Sequence, residues 1–557
     1  MMIQDQIRNL IKQAFYGQQL PNFTVEHPDE LSHGDYATNI ALILSKQLKK
    51  SPIEIAQNLV ENLNKIKGKE ITKIEIAGPG FINFYLSPEF FENQTKEILK
   101  QGKNFGRNIL GKKKKVVVEY SSPNIAKPFT VGHLRSTIIG DAVANILDFS
   151  GFKVIRDNHL GDWGTQFGKL IVALKKWSDI KIIQKSQTPI KDLVDLYVKF
   201  HDEAEKDKGL EDEGRAWFAK LEKGDPEARK IWQKCVKLSL AEFKRIYKVL
   251  DVKFDTAFSE SFFENKMSEV ISDVKKTTIA RESEGAYLVF FANEKYPPLM
   301  LLKSDGSSLY ALRDLAADKW RKKKYGQETI IVNEVGGEQT LYFQQLFETE
   351  KLLGYVKEGE RKHVAHGLYR FAEGKMSTRK GNVIWLDEVI NEAIDRAKTI
   401  NQDTAEVVAI GALKFNDLKR EAKGDINFDW DEILNLKGDS GPYLQYSCVR
   451  AKAILEKARK ERVKLNWKKA GTEITNLEKM IYRFPEVVAR AGKEYAPHYL
   501  ALYLIELAGE FNTFYAQGKI VDKTDANSPY KVALTSAFVT IIQNGLKLFG
   551  IKVPDRM

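Results

Sequence analysis

The stretch Tyr120–Asp141, YSSPNIAKPFTVGHLRSTIIGD, decides the fold. It reads as strand, glycine-containing turn and helix. Before it, Val116–Tyr120 (VVVEY) is a short β-branched run bounded by polar residues, the pattern of a buried strand. After it, Leu134, Ile138, Ile139, Val143, Ile146 and Leu147 recur at helical spacing, and Gly151 sits where a helix stops. The turn carries Lys127, Gly132 and His133. A glycine at a helix N-terminus lets backbone approach a ligand, and the free N–H groups there favour phosphate. The chemistry this suggests is binding or activating a nucleotide. Taken alone, a Gly-His pair in such a loop is more often part of an ordinary βα unit.

The neighbours change that balance. The phrase S-S-P-N-x-A-K-P-x-x-V-G-H-L-R-S, Ser121–Ser136, resembles the nucleotide-binding motif of class I aminoacyl-tRNA synthetases in its arginyl form. The generic motif is HIGH. Here it stands as Thr130-Val131-Gly132-His133, with Thr in place of the first His. The resemblance implies that Thr130, Gly132 and His133 contact ATP.

A second motif is Gly374–Gly381, GKMSTRKG, a cationic loop after a strand candidate. Lysines and arginines on such a loop can close over a triphosphate and stabilise leaving pyrophosphate. It resembles the KMSKS loop of class I synthetases. Lys375, Met376 and Ser377 match, whereas Thr378 replaces the second Lys and Arg379 the final Ser. Some arginyl enzymes without that Lys carry one just before the first motif, and Lys127 occupies that place. The resemblance makes Lys127 the compensating cation, acting with His133, Lys375 and Arg379. The loop is not a Walker P-loop, because the glycine spacing and the Ser/Thr after the Lys are absent.

A guanidinium is best held by carboxylates with an aromatic face nearby. Tyr310 and Asp314 lie four apart on an expected helix and so share a face. Glu260 lies in Ser259-Glu260-Ser261. By resemblance to the arginyl family, Asp314 and Glu260 bind substrate arginine and Tyr310 shapes the pocket. Asn124 and Gln339 match positions that hold its backbone end. The glycine-interleaved Asn158–Gly168 (NHLGDWGTQFG) also resembles the arginyl family, which implies that His159 lies beside the pocket. Tyr342 stands where the family often has His and receives no role.

Composition is compatible with this reading. The chain has 557 residues, 87 basic against 75 acidic, and a net charge of +12. That excess suits a polyanionic partner such as RNA without requiring one. Two cysteines, Cys235 and Cys448, supply neither a four-cysteine zinc site nor a disulfide framework, so a reducing, cytoplasmic setting is expected. The first residues read as an amphipathic helix, not a signal peptide, and no apolar run is long enough to span a membrane.

The expected fold class is multidomain α/β. Residues 1–108 form a small α+β domain, with helical patterns at Gln4–Ala14 and Tyr36–Leu63 and strands at Ile71–Ile76 and Phe81–Leu86. It resembles the tRNA-contacting N-terminal add-on domain of arginyl-tRNA synthetases. Residues 109–385 alternate strands and helices, the mark of a Rossmann-like parallel sheet, with further strands at Lys153–Arg156, Thr329–Asn333 and His363–Tyr369. An insertion at about 172–285 interrupts it. There Pro189–Leu250 is charged and helical, with GLEDEG and KGDPEA read as loops. Residues 386–435 are a helical junction, and 436–557 resemble the family's helical anticodon-binding domain. Tyr446, Arg450, Asn512, Tyr515 and Met557 are its candidate RNA contacts.

The resemblance implies an ATP-dependent ligase that activates L-arginine and transfers it to the 2′-OH of the terminal adenosine of tRNA(Arg), with tRNA needed for activation. It implies ATP with magnesium, no structural metal, no membrane and a monomer. Two alternatives stay open. One is a class I synthetase of another specificity, although a cysteine enzyme calls for a thiol cluster and a glutamate pocket for cations. The other is a non-catalytic RNA-binding paralogue.

Overall fold

The computed structural model describes residues 2–15, 20–370 and 384–557. The N-terminal unit is an antiparallel sheet ordered β1-β2-β4-β3, from Val25–Glu26 (β1), Tyr36–Thr38 (β2), Ile71–Ala77 (β3) and Phe81–Leu86 (β4). Helices Ile3–Ala14 (α1), Ile40–Leu48 (α2) and Pro52–Ile66 (α3) pack their buried stripes, including Ile7, Ile11, Leu44 and Leu59, with Phe84 of the sheet. The continuous helical pattern expected over Tyr36–Leu63 is corrected. Tyr36 and Thr38 pair with Phe84 and Ile82, so cross-strand burial overrides the helical spacing. The remainder splits where Lys49 turns left-handed and Pro52 opens a new helix, a position where its missing N–H is harmless.

Pro88–Gln101 (α4) leads to Lys115–Glu119 (β5), Val131–Phe149 (α5) and Lys153–Asp157 (β6). Seven helices follow: Thr165–Trp177 (α6), Ile180–Ile183 (α7), Pro189–Lys206 (α8), Gly209–Glu222 (α9), Pro226–Val249 (α10), Glu260–Phe263 (α11) and Met267–Lys275 (α12). GLEDEG, expected as a loop, opens α9. Its acidic residues Glu211 and Asp212 complement the positive helix end. Gly214 there packs so closely on Gly168 of α6 that a Cβ on Gly168 would stand 2.0 Å from the Gly214 carbonyl oxygen. A small antiparallel sheet not among the expected strands comes next, from Ala280–Ser283 (β7), Ala286–Val289 (β8) and Leu299–Leu302 (β9).

Tyr310–Tyr325 (α13), Ile330–Gly336 (β10), Thr340–Leu352 (α14) and Arg361–His366 (β11) complete the parallel-sheet unit. The strand expected over His363–Tyr369 starts earlier and ends at His366. Tyr369–Arg370 (β12) instead pairs with Ile426–Asn427 (β13). The main sheet is parallel and ordered β11-β10-β5-β6. Val116, Val117 and Val118 of β5 are fully buried, as a strand covered on both faces requires. From β5 the chain crosses to β6 on one side, and β10 is followed by β11 on the other. The order reverses between β5 and β10, and in such sheets ligands bind beyond the carboxyl ends at that point.

The remaining helices are Leu386–Ala397 (α15), Ala405–Leu418 (α16), Trp430–Ile433 (α17), Gly441–Lys460 (α18), Asn476–Ile481 (α19), Phe484–Glu494 (α20), His498–Ala516 (α21) and Ser528–Leu548 (α22). Ser440 caps α18, its hydroxyl accepting from the Tyr443 N–H at 3.1 Å. One core runs from Ile139 and Val143 of α5 through Leu413 of α16 to Leu504 and Phe538, so the C-terminal helices are packed onto the nucleotide fold. Among the described residues no helix is long and apolar enough to cross a membrane.

Candidate active site

The loop leaving β5 enters the switch point in a strained conformation. Ser121, Ser122 and Ala126 have φ of +70°, +42° and +57°. Such residues cost on the order of 1–3 kcal/mol each and persist only when their surroundings over-determine them. Here the Ser121 N–H donates to Ser136 Oγ at 3.0 Å, and Thr137 Oγ1 donates to Ser121 Oγ at 2.8 Å. Tyr247 and Ser239, both on α10, complete the restraint. The Tyr247 hydroxyl lies 2.8 Å from Ser121 Oγ, and the Ala126 N–H donates to Ser239 Oγ at 2.9 Å. Nothing in the local sequence points to these two residues, because they arrive from the insertion.

Thr130 is the N-cap of α5, and its backbone N–H donates to His133 Nδ1 at 3.0 Å. An accepting Nδ1 leaves the neutral ring's proton on Nε2, free to donate outward. Burial, then the charges of Lys127 and His366, push His133 down to about 4. His133 is therefore a neutral donor at pH 7. Gly132 is exposed, and a Cβ there would meet only Thr130 Oγ1, at 3.5 Å, which leaves the helix N-terminus open. Lys127 is half-buried and in no ion pair among the described residues. A free cation, a neutral N–H donor and an open helix N-terminus together make a phosphate site.

The same helix start holds both flanks of the second motif. The Val131 N–H donates to the Ile384 carbonyl at 3.2 Å and the Leu386 N–H to Phe129 at 3.0 Å. On the other flank, buried Arg135 donates to the Leu368 and Ala422 carbonyls and to Asp417. Lys375, Met376, Ser377 and Arg379 themselves lie outside the described residues. A cavity of ≈ 720 Å³ opens at the carboxyl ends of β10 and β11, lined by Gly337, Phe343, His363, His366, Gly367 and Leu368. Burial disfavours the charged His366 ring, but Glu334, 2.7 Å from its Nδ1, outweighs that and raises its pKa. Gln339 ends the turn after β10 and is exposed.

An acidic cluster is built from four separate segments. Asn124 bridges Gly161, where a Cβ would stand 2.1 Å from Asn124 Oδ1 and would displace that side chain. The Ile125 N–H donates to the Gly161 carbonyl at 2.9 Å, and the Glu260 N–H to the neighbouring Leu160 carbonyl at 3.0 Å. Asp162 accepts from the Ser261 N–H and hydroxyl at 2.8 and 2.7 Å, pinning the segment that carries Glu260. The His159 ring stacks on Phe263 at 5.7 Å, and its buried Nδ1 has no partner.

Burial pushes Glu260 up to about 7, relieved by Arg313 and His159 and aggravated by Asp314 and Asp162. Burial also raises Asp314, countered by His159 and by a hydrogen bond from the Tyr342 hydroxyl. Two carboxylates that resist ionisation side by side make a receptor for a cation. Asn124, His159, Glu260 and Asp314 are thus brought together. Tyr310 stands 65 % exposed at the rim, its ring 5.6 Å from the Arg313 guanidinium. Asp162, Ser261 and Tyr342 are the residues that sequence reasoning did not assign.

Comparisons with known proteins bear on the family of the chain. Residues 94–430 match the family described as tRNA synthetases class I (R), catalytic domain. Residues 1–86 match the arginyl tRNA synthetase N terminal domain and 444–557 the DALR anticodon binding domain. The chain is 42 % identical over 550 residues to the arginine–tRNA ligase of Clostridium kluyveri, covering 96 % of both. It is 40 % identical to that of Clostridioides difficile, covering 96 % of this chain and 95 % of the other. The chain belongs to the arginyl-tRNA synthetase family. The Thermus thermophilus arginyl-tRNA synthetase structure superposes with a TM-score of 0.81 at 25 % identity, covering all of both chains.

In this arginyl-tRNA synthetase fold, four of the five C-terminal candidates converge on one spot. Arg450 donates to the Tyr446 hydroxyl and to Asn512 Oδ1, each at 3.1 Å. Its guanidinium lies 4.8 Å from the Tyr446 ring centroid and 5.3 Å from that of Tyr515. Asn512 in turn donates to Tyr443 and Ser447. Tyr515 is 43 % exposed, whereas Met557 is half-buried and packs against the main core.

Proposed function

We propose that this protein activates L-arginine with ATP and transfers it to the 2′-OH of the terminal adenosine of tRNA(Arg). The observation that carries the reading is that the loop ending at Thr130–His133 also carries Asn124 and Ile125, which bond Gly161 next to the Leu160 carbonyl that holds Glu260, so one loop joins the phosphate-binding turn to the carboxylates suited to a guanidinium. The arginine carboxylate attacks the α-phosphate of ATP, and the bond to pyrophosphate breaks, giving arginyl-adenylate. The 2′-OH then attacks the acyl carbon, and AMP leaves.

Positioning and charge stabilisation supply the rate. Lys127 offsets negative charge near the α-phosphate, replacing the lysine that Thr378 displaces, and His133 donates from Nε2. Lys375 and Arg379 act from the second motif. Asn124 and Gln339 serve the backbone end of arginine, with His159 and Tyr310 at the pocket's sides. Among the described residues no cluster of three or more His, Cys, Asp or Glu could hold a metal. Magnesium would enter on the phosphate oxygens of ATP, an ion that needs few protein ligands.

Residues 1–108 would contact the tRNA corner and 436–557 the anticodon, where Arg450 holds Tyr446 and Tyr515 as stacking platforms. The protein would act as a cytoplasmic monomer, with tRNA bound before activation. ATP–pyrophosphate exchange with each amino acid, with and without total tRNA, tests this reading. Exchange only with arginine plus tRNA supports it. Exchange with another amino acid would mean the pocket was misread.

A further inference from the structure

Helix α10 has two functional faces. Its inner face holds the strained nucleotide loop through Ser239 and Tyr247, and through Phe243, whose ring centroid is 5.6 Å from that of Phe129. Its outer face is a lysine stripe. Lys230, Lys234, Lys237, Lys244 and Lys248 recur at spacings of four, three, seven and four, which places them along one side of the helix over about 27 Å at 1.5 Å per residue. Lys230, Lys237, Lys244 and Lys248 are exposed, and none of the five enters an ion pair among the described residues. The helix carries seven basic and two acidic residues, so it alone holds +5 of the chain's +12. One of those acids, Glu242, is already paired with Arg245 at 2.8 Å.

At the far end of the stripe a second observation points to a ligand. Lys244 and Lys248 border a cavity of ≈ 520 Å³ whose walls include Phe243, Tyr247, Phe254 and Asn158. Asn158 is 4 % exposed. Its Nδ2 donates to the Tyr247 hydroxyl at 3.0 Å, and its Oδ1 has no partner. Unpaired lysines leading to an aromatic-walled cavity with an unsatisfied polar atom match the needs of a nucleic-acid strand, phosphates outside and a base inside.

We infer that the lysine face of α10 is a docking surface for the sugar-phosphate backbone of RNA, running toward the cavity beside Phe254. The inference rests on the tRNA-ligase reading above and deepens it. Because the same helix restrains Ser121 and Ala126, RNA seated on its outer face bears directly on the loop that would contact ATP.

The test is binding of unfractionated tRNA to the full chain across a range of KCl concentrations. Replacing Lys237, Lys244 and Lys248 together by Ala should weaken binding about tenfold or more and reduce the salt slope by about two to three units, since each phosphate contact contributes roughly one. A Lys→Gln version of the trio covers any disturbance of the helix by Ala. The matched control replaces exposed Lys112, Lys113 and Lys114 by Ala, removing equal charge elsewhere. An unchanged slope in the α10 trio overturns the inference. So does an equal fall in the control, which would reduce the effect to bulk charge. Equal competition by anionic lipid vesicles would make the stripe a general polyanion face and also overturn it. Failure of the wild type in arginine-specific exchange would instead sink the proposed activity, which the salt slope does not measure.

Discussion

The Tyr342 hydroxyl on α14 donates to Asp314 Oδ2 on α13. Burial disfavours the Asp314 carboxylate, and this bond, with the nearby His159 ring, works in the opposite direction. Tyr342 therefore aims the carboxylate and favours its charged form, the one a guanidinium needs. A hydrogen bond to a charged group is worth roughly 1.5–3 kcal/mol. Tyr342→Phe should raise the KM for arginine about tenfold or more, leaving kcat and the KM for ATP nearly constant. Steady-state exchange kinetics would show this, and an unmoved arginine KM would make the hydroxyl a bystander. Asp314→Asn should lose arginine binding more severely with the same selectivity.

A pH dependence follows from the pair Glu260 and Asp314. Glu260 sits at about 7 in the folded protein, above its ordinary 4.5, and Asp314 is also raised. A carboxyl whose pKa is raised by folding retains its proton longer in the native state. In the arginine-free protein, stability contributed by Glu260 is thus present below its ordinary value and lost as pH rises toward 7. Arginine favours the ionised forms, so its binding expels protons below that pH. The thermal shift produced by arginine, and kcat/KM for arginine, should both grow between pH 6 and pH 8. His133, at about 4, adds no limb in this window. A flat profile from 6 to 8 would contradict the assignment.

Lys127 and Thr130 belong to the proposed phosphate end. Lys127→Ala should lower kcat far more than it raises the arginine KM, if the cation serves mainly the transition state. An unchanged kcat would remove its compensating role. Thr130→Ala should cost about 1 kcal/mol of stability as a lost N-cap. It should also leave His133 without the hydroxyl 2.9 Å from its Nδ1. Denaturant melts and exchange rates on the same sample separate the two effects.

Arg450 joins Tyr446, Asn512 and Tyr515 into one cluster. Arg450→Ala should raise the KM for tRNA about tenfold, through loss of both its own charge and the orientation of two rings. The arginine KM at saturating tRNA should stay constant. A change in arginine KM alone would place the cluster's role elsewhere.

The stretch from Val116 to Gly151 was legible because each of its signals is local. β-branched residues make the strand, a Gly-His turn opens the helix, and an apolar 3.6-residue period carries it to Gly151. The proposed guanidinium site was legible only in part. Glu260 and Asp314 belong to segments far apart in the chain, and their sequence neighbourhoods do not reveal Asp162 or Tyr342 as partners. Tyr36–Thr38 was misread because its partner strand, Phe81–Leu86, lies more than forty residues away.

Sequence by itself thus determined the parallel fold, its Gly-His turn and the family to which the chain belongs, since these rest on residue types at short spacings. Only the tertiary structure decided that His133 is a neutral donor and that α10 clamps a strained loop. It alone decided that two half-buried carboxylates lie near each other, with Tyr342 bonded to one of them, Asp314. Burial, hydrogen-bond direction and the fields of neighbouring charges depend on which distant segments meet, and spacing along the chain does not encode them.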